Sequence, residues 1–173
     1  CSVMTDRIVI VGAGYTGLRL AEEAVERGWE VAGTTRSKES ADTLGELGAD
    51  PVMWDVDDRD ERPIADVVEA GTSVVYSVPT LFRSYERGEG GEHSRHVRPV
   101  VEVVDTAADA GAERFIYLSS TSVYGDHGGA WVDEDTPAAP TSATGKMRRD
   151  IEKYVLGQDG RLDANVARLV GIY

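Results

Sequence analysis

The feature that most restricts the fold is a short apolar run followed at once by closely spaced glycines. Residues 7–11 (RIVIV) are typical of a buried strand. A helical pattern formed by Leu18, Ala21 and Val25 comes next and stops at Gly28, and a second strand pattern begins soon after it. The loop between strand and helix has the pattern G-x-G-x-x-G and consists of Gly12, Ala13, Gly14, Tyr15, Thr16 and Gly17. A strand, a glycine loop, a helix and another strand in this order predict a parallel α/β fold.

The spacing of the glycines also predicts a ligand. Gly12 permits a tight turn, Gly14 lets the backbone approach a pyrophosphate, and Gly17 lets the helix pack closely on the strand. The helix N-terminus offers backbone N–H groups and the positive end of a dipole to an anion. We therefore expect the six loop residues to bind a dinucleotide. The alternative is a purely structural turn between strand and helix.

The remaining elements alternate in the same way. This alternation predicts a Rossmann-type, doubly wound parallel sheet of about six strands with helices on both faces. No linker composition interrupts it, so we expect one domain over residues 1–173. The polar, glycine-rich residues 83–93 are predicted to be a mobile loop. The predicted strands cover residues 7–11, 30–35, 51–54, 73–78, 114–119 and 165–172, and further helices cover 37–47, 94–110 and about 145–157. We expect Ser37 to cap the helix over 37–47 and Gly48 to end it. The apolar side of the helix over 94–110 is expected to consist of Val97, Val100, Val101, Val104 and Ala108.

The end of the second predicted strand indicates which dinucleotide binds. NAD and FAD sites usually place an Asp or Glu there to accept from the ribose hydroxyls. This chain has Thr35 and Arg36 and no acid before Glu39, so a 2′-phosphate is favoured and NADP is preferred over NAD. FAD is the least favoured ligand. The alternative for Arg36 is a solvated side chain at a helix start. Asp55, after the third strand, is either an acceptor for the adenine amino group or a plain loop carboxylate.

The charge balance excludes other partners. The formal charge is −13, from 18 basic and 31 acidic residues, which argues against nucleic acid as a partner. No apolar stretch approaches the ~20 residues of a membrane span, and the N-terminal residues lack the layout of a secretory signal. A single cysteine fits a reducing compartment, so we expect a cytoplasmic protein. Abundant acid with only three lysines favours a salt-loving source, with an acidic protein from a GC-rich genome as the alternative.

Two longer segments resemble the extended short-chain dehydrogenase/reductase family. They are residues 111–125 (GAERFIYLSSTSVYG) and 167–173 (ARLVGIY). That family contains NAD(P)-dependent epimerases, dehydratases and reductases, many acting on nucleotide sugars. The resemblance implies that Ser77, Val78 and Pro79, after the fourth strand, line the nicotinamide side of the cofactor. It also implies a homodimer through the helices near 94–110 and 145–157, and a substrate-binding C-terminal portion beyond this chain.

The same resemblance identifies candidate catalytic residues and one departure. Ser120 falls at the family's Ser/Thr position, with simple hydrogen bonding at a strand end as the alternative, and Lys146 falls at the lysine of its Tyr-x-x-x-Lys pattern. The tyrosine is replaced by Ser142, and a serine hydroxyl is a far poorer acid than a phenol. Lys146 is therefore better suited to donate to a ribose hydroxyl. His96, aligned with the family's helix-borne asparagine, is either a titrating group or a solvated side chain.

Two functions follow from this pattern, which is similar to the atypical members of the family. One is an NADP-dependent oxidoreductase or epimerase-like enzyme that acts on a nucleotide sugar or another carbonyl or hydroxyl compound. The other is a catalytically silent NADP-binding sensor or scaffold. No metal is expected, because the acids at 133–135 have no convergent His or Cys.

Overall fold

A computed structural model describes residues 6–58, 63–79, 97–158 and 160–170. Strands and helices alternate along these residues, as the apolar pattern predicts. A 3₁₀ helix, Thr121–Val123, follows the fifth strand. The strands are β1 (Arg7–Val11), β2 (Glu30–Thr35), β3 (Asp50–Met53), β4 (Ser73–Tyr76), β5 (Arg114–Ser120) and β6 (Asp163–Leu169), and the helices are α1 (Tyr15–Glu26), α2 (Lys38–Leu47), α3 (Ile64–Val67), α4 (Val97–Asp109) and α5 (Ala143–Leu156).

The strands of the described residues form one parallel sheet in the order β3-β2-β1-β4-β5-β6. The predicted Rossmann-type fold is therefore confirmed. The strand order reverses between β1 and β4, because the chain first moves outward to β3 and then returns to the other side of β1. Ligands of open α/β sheets bind beside such a reversal, at the carboxyl ends of the strands. The topology thus places the glycine loop after β1 at the expected binding edge.

The sheet is covered on both faces, and the alternation of side chains along β1 shows how. Val9 and Val11 point to the face covered by α4 and α5, whereas Ile8 and Ile10 point to the face covered by α1 and α2. All four side chains are buried, which explains the uninterrupted apolar run. The strand next to the glycine loop is therefore held from both sides.

Helix ends follow the predicted signals at α2. The Ser37 side chain accepts a hydrogen bond from the backbone N–H of Ser40, and Gly48 ends the helix in the left-handed conformation with φ +88°. Pro99 lies in the first turn of α4, where a missing N–H costs little.

Other details differ from the sequence-based expectations. In α4 the buried face consists of Pro99, Val100, Val103, Val104 and Ala107. Val100 and Val104 were in the predicted set, whereas its other members, Val97, Val101 and Ala108, are only partly buried. The predicted set had the i+3 and i+4 spacing of a helix, but the face that packs on the sheet is rotated about the helix axis from the predicted one. Neither α3 nor the 3₁₀ helix was predicted, because each has about one turn and is too short to give a periodic apolar pattern.

The sixth strand begins earlier than predicted, at Asp163 instead of Asn165. Asp163 pairs with Arg114 of β5 in the sheet register, and the Arg114 Nε lies 3.0 Å from its Oδ2. This hydrogen bond holds the pKa of the Asp163 carboxyl below its ordinary value. Cross-strand pairing therefore sets the strand start, which a local apolar pattern cannot reveal.

Several predictions fall on residues outside the described ranges. These are the loop at 83–93, His96, the first three residues of the predicted helix 94–110, and the end of the strand predicted to reach residue 172. Within the described ranges, no helix is both long and apolar enough to cross a membrane. A homodimer through the helices near 94–110 and 145–157 stays a prediction; α4 and α5 pack side by side against the same face of the sheet.

Candidate functional site

A cleft of about 600 Å³ opens at the carboxyl ends of the central strands. Its walls come from the glycine loop, from the segments that follow β2, β3 and β4, and from the start of α4. The lining residues are Gly12, Ala13, Gly14, Tyr15, Thr16, Thr34, Thr35, Arg36, Ser37, Ser40, Trp54, Asp55, Val56, Asp57, Tyr76, Ser77, Val78, Pro79, Pro99 and Val100. All of the predicted cofactor-binding residues line this cleft except Gly17 and Lys146.

Close backbone packing forms the floor of the cleft. Gly12 has φ +93°, and a Cβ there would lie 2.7 Å from the Val78 side chain. A Cβ on Gly17 would lie 2.5 Å from the Gly12 carbonyl oxygen, which explains why Gly17 is structural and not part of the lining. The Gly12 N–H donates to Thr34 Oγ1 at 3.0 Å, and the Ala13 N–H donates to the Thr34 carbonyl at 2.7 Å. The loop is thus fixed to β2 before any ligand binds.

Gly14 and the start of α1 form a cradle that fits a dinucleotide pyrophosphate. A Cβ on Gly14 would meet nothing within 4 Å, so the protein's own packing does not require a glycine there. Gly14 is also the N-cap of α1, and it supplies no side chain to cap the first N–H groups of that helix. A bare helix N-terminus facing a cleft favours an anion, and a glycine at this point leaves room for it.

The end of the cleft beside β2 and β3 combines polar and charged groups. The Thr35 Oγ1 accepts from the Ser37 N–H at 3.1 Å, which fixes the turn that presents Arg36. Arg36 Nη1 lies 3.3 Å from Asp55 Oδ2, and both side chains line the cleft. The two residues predicted to contact different parts of the nucleotide therefore contact each other.

The opposite end of the cleft is mostly apolar. Ser77, Val78 and Pro79 follow β4, and the Ser77 N–H donates to the Val11 carbonyl at 2.8 Å, which extends the β1–β4 pairing beyond the strand. Tyr76 is buried below them and its ring lies 6.1 Å from that of Tyr117. Burial raises the pKa of the Tyr76 phenol above its ordinary value, so it stays protonated at neutral pH. An apolar floor of this kind suits an uncharged ring better than a phosphate.

The three candidate catalytic residues lie at the end of β5 and at the start of α5, outside the lining of the cleft. Ser120 Oγ accepts from the Ser122 N–H at 3.3 Å and caps the 3₁₀ helix. Ser142 is the N-cap of α5, where its Oγ accepts from the Gly145 N–H at 3.0 Å. Lys146 lies one turn further on and is exposed. Ser142, which the resemblance places at the position of the family's tyrosine, thus has a structural role as the N-cap of α5.

A buried polar network underlies this region. Glu152, only 2% exposed, accepts from Ser119 Oγ at 2.6 Å and from Arg168 Nη2 at 2.9 Å. The Arg168 guanidinium also lies over the Tyr124 ring, 4.7 Å from its centre. Hydrogen bonding to Glu152 is the main cause that raises the pKa of Arg168 above its ordinary value. The network joins α5, β5 and β6 beneath the segment that holds Ser120.

Sequence reasoning missed part of the cleft. The missed lining residues include Thr34, Trp54, Tyr76 and Val100. The first three lie at or beside the carboxyl ends of β2, β3 and β4, and Val100 lies in α4. Their position at the carboxyl edge was a usable signal, but their apolar or hydroxyl character made them equally suitable for the core. Among the residues that the structure describes, no group of three or more His, Cys, Asp or Glu side chains is placed to hold a metal ion.

Comparison with known proteins identifies the family. The model of the NAD dependent epimerase/dehydratase family matches residues 8–173. The chain belongs to this family. Family membership implies a nicotinamide dinucleotide as the ligand of the cleft, in agreement with the cradle at Gly14 and the bare start of α1.

Curated proteins with similar sequences match most of the chain. Protein YeeZ of Escherichia coli (strain K12) is 30% identical over 174 residues, which include 96% of this chain and 58% of that protein. A 4-hydroxy-2-methyl-3-oxo-4-farnesyl-3,4-dihydroquinoline-1-oxide ketoreductase of Stigmatella aurantiaca is 28% identical over 152 residues, 86% of this chain and 44% of that enzyme. The chain therefore spans about half the length of the curated relatives it matches.

Solved structures of other proteins share the fold of this chain. A functionally unknown conserved protein from Silicibacter pomeroyi DSS superposes with a TM-score of 0.73 at 32% identity, over 98% of this chain and 54% of that one. UDP-glucuronic acid 4-epimerase from Bacillus cereus, in complex with NAD, superposes with a TM-score of 0.75 over 96% of this chain and 56% of that one. Its 17% identity shows a shared fold only.

Proposed function

We propose that this chain is the NADP-binding part of an oxidoreductase or epimerase-like enzyme of the epimerase/dehydratase family. The observation that supports NADP is the placement of Arg36 at the carboxyl end of β2, in the wall of the cleft, where NAD-binding proteins usually carry an acid. A guanidinium there can form charge-assisted hydrogen bonds with a 2′-phosphate. The proposal includes a cytoplasmic location, which the single cysteine favours.

Different residues of the cleft would hold different parts of the dinucleotide. Gly12, Gly14 and the N-terminus of α1 would hold the pyrophosphate, and Thr35 and Arg36 would hold the 2′-phosphate. The segment from Ser77 to Pro79 would lie against the nicotinamide, which supplies the hydride chemistry. The protein's contribution at this end is an apolar surface that orients the ring and excludes water.

The proposed cofactor preference is tested by titration of the purified chain. We expect NADPH to bind about tenfold more tightly than NADH, the lower end of the range for a charge-assisted hydrogen bond, because Arg36 is 65% exposed. Arg36→Ala should remove most of that difference. Arg27→Ala, which removes an equal charge at the other end of α1, should leave it unchanged. Equal affinities of the unaltered chain in a fluorescence titration would refute the preference.

Ser120 and Lys146 are the proposed groups for chemistry and ribose contact. Because Ser120 Oγ is an acceptor for the Ser122 N–H, its hydroxyl proton can still be donated to a substrate oxygen. Lys146 is exposed at the start of α5, and no partner for its ammonium is present among the described side chains, so its three donors are available to a ribose hydroxyl. Ser142 also accepts an N–H through a lone pair and keeps its proton, but it is a weaker candidate because an alcohol is a far poorer acid than the phenol of the family's pattern.

One observation favours the second function, a nucleotide-binding sensor without catalysis. The residue in place of the family's tyrosine is Ser142, whose hydroxyl is a far poorer acid than a phenol, so a ready proton donor is lacking at that position. NADPH oxidation with a panel of carbonyl and sugar-nucleotide substrates, run on the protein with any sequence that follows Tyr173 in its gene, separates the two. Turnover supports the enzyme; tight NADPH binding without turnover supports the sensor.

A further inference from the structure

The Arg36–Asp55 ion pair crosses the nucleotide end of the cleft. Arg36 Nη1 approaches Asp55 Oδ2 at 3.3 Å, and both side chains line the cavity. The other carboxylate oxygen, Oδ1, accepts from the Asp57 N–H at 3.1 Å, so the carboxylate is held by its own turn. The fixed partner of the pair is therefore Asp55, and the longer Arg36 side chain is the one that can move.

We propose that Asp55 competes with the 2′-phosphate for Arg36 and so limits the preference for NADP over NAD. This inference rests on the proposed binding of the dinucleotide in this cleft. It assigns to Asp55 a role in cofactor specificity that neither the spacing of the sequence nor the family match provides. Arg36 and Asp55 become one specificity device instead of two separate contacts.

The geometry of the pair favours displacement by a phosphate. The contact joins one guanidinium nitrogen to one oxygen, and the side chains of Arg36 and Asp55 are 65% and 42% exposed, so water screens it. A 2′-phosphate presents more charge and several oxygens, which match the two-pronged edge of a guanidinium. NADP would therefore take Arg36 from Asp55, at the cost of breaking the pair.

NAD has no group that can make this exchange. With NAD bound, Arg36 stays paired with Asp55, and no interaction is lost. The cost of breaking the pair thus falls on NADP alone and reduces the ratio of the two affinities. Removing the charge of residue 55 should increase that ratio. A contact of Asp55 with adenine alone would leave the ratio unchanged, because both nucleotides contain adenine.

Asp55→Asn tests the competition with little change of shape. The amide oxygen can still accept from the Asp57 N–H, while its attraction for Arg36 falls. Any adenine contact changes equally for both nucleotides and cancels in the ratio. Asp50→Asn is the matched control, because it removes the same charge from the exposed first residue of β3. That residue lies at the amino end of the strand, whereas Asp55 follows its carboxyl end.

The experiment is a set of titrations with two pairs of probes. NADPH is compared with NADH, and adenosine 2′,5′-bisphosphate with adenosine 5′-phosphate, on the unaltered chain, Asp55→Asn, Arg36→Ala, the double variant and Asp50→Asn. We expect Asp55→Asn to raise both ratios by roughly 1.4- to fivefold, the range for an exposed ion pair. In the Arg36→Ala background the same change should leave the ratios nearly constant, because the guanidinium for which Asp55 and the phosphate compete is absent.

The remaining outcomes separate this inference from the proposed function. An equal rise in the Arg36→Ala background would show simple repulsion between Asp55 and the phosphate and overturn the competition, as would no rise at all. If the unaltered chain shows no preference but Asp55→Asn does, the competition stands and the NADP assignment of the natural protein falls. If no variant binds any of the four probes, both the proposed function and the inference are wrong.

Discussion

At the scale of single residues, Glu152 is the most constrained charge in the described part of the protein. A buried carboxylate is costly unless it is paired and hydrogen-bonded, and Glu152 has both Arg168 and Ser119 as partners. Arg168 in turn covers the Tyr124 ring, whose face attracts a cation. One carboxylate therefore links a helix to two strands and to the segment after β5.

Removing this carboxylate should destabilise the fold strongly. Glu152→Ala leaves the Arg168 guanidinium partly buried without its counter-charge, and we expect a loss of about 3 kcal/mol in the free energy of unfolding. Urea denaturation measures it. Lys153→Ala, the neighbouring exposed position on α5, should change stability by less than about 0.5 kcal/mol. A loss for Glu152→Ala no larger than that of the control would show that the network is not stabilising.

At the scale of secondary-structure elements, two helical glycines are distinguished by their surroundings. A Cβ on Gly145 of α5 would lie 2.7 Å from the Ser122 carbonyl oxygen and 2.8 Å from Pro140 Cβ. A Cβ on Gly45 of α2 would meet nothing within 4 Å. Gly145 therefore permits α5 to pack against the segment that contains Ser120, whereas Gly45 only weakens its own helix.

The same substitution should have opposite effects at these two positions. Gly145→Ala is expected to destabilise by about 1–3 kcal/mol, because overpacking outweighs the better helix propensity of alanine. Gly45→Ala should stabilise by about 0.5–1 kcal/mol, since propensity acts there without a clash. Both are measured by urea denaturation. A stabilising effect at Gly145 would contradict the close packing of α5 on residue 122.

At the scale of the whole molecule, the dominant property is a formal charge of −13. Apart from Glu152–Arg168, every ion pair of the described residues has at least one partner well exposed to water. Such pairs contribute little, so they do not offset the mutual repulsion of the excess carboxylates. Screening by salt should therefore favour the compact state.

We expect the Tm to rise with KCl concentration. Between about 0.1 and 1 M the screening length falls from roughly 10 to 3 Å, and a gain of about 1 kcal/mol corresponds to a rise of about 2–4 °C for a chain of this size. Differential scanning calorimetry measures it. A rise that levels off near 1 M indicates screened repulsion, and a constant or falling Tm would contradict the salt-loving interpretation of the composition.

The fold could be predicted from sequence in most respects, and the site in part. The glycine loop, the alternation of elements and the caps of α2 are local patterns, and the structure confirms them. The predicted start of β6 and three of the five residues predicted for the buried face of α4 were wrong, because they depend on the neighbouring strand and on the direction of packing. The roles of Ser120, Ser142 and Lys146 stay predictions.

By itself the sequence determined the order of elements, the parallel sheet and the position of the glycine loop at a helix start. The order of elements and the position of the loop depend on local spacing and residue type. The parallel sheet follows from the alternation of strands and helices, because a helical crossover returns each strand in the same direction. Only the tertiary structure decided that Arg36 contacts Asp55 and that Glu152 contacts Arg168, because each pair joins separate elements. Whether a charge is free, paired or buried depends on what the fold places beside it.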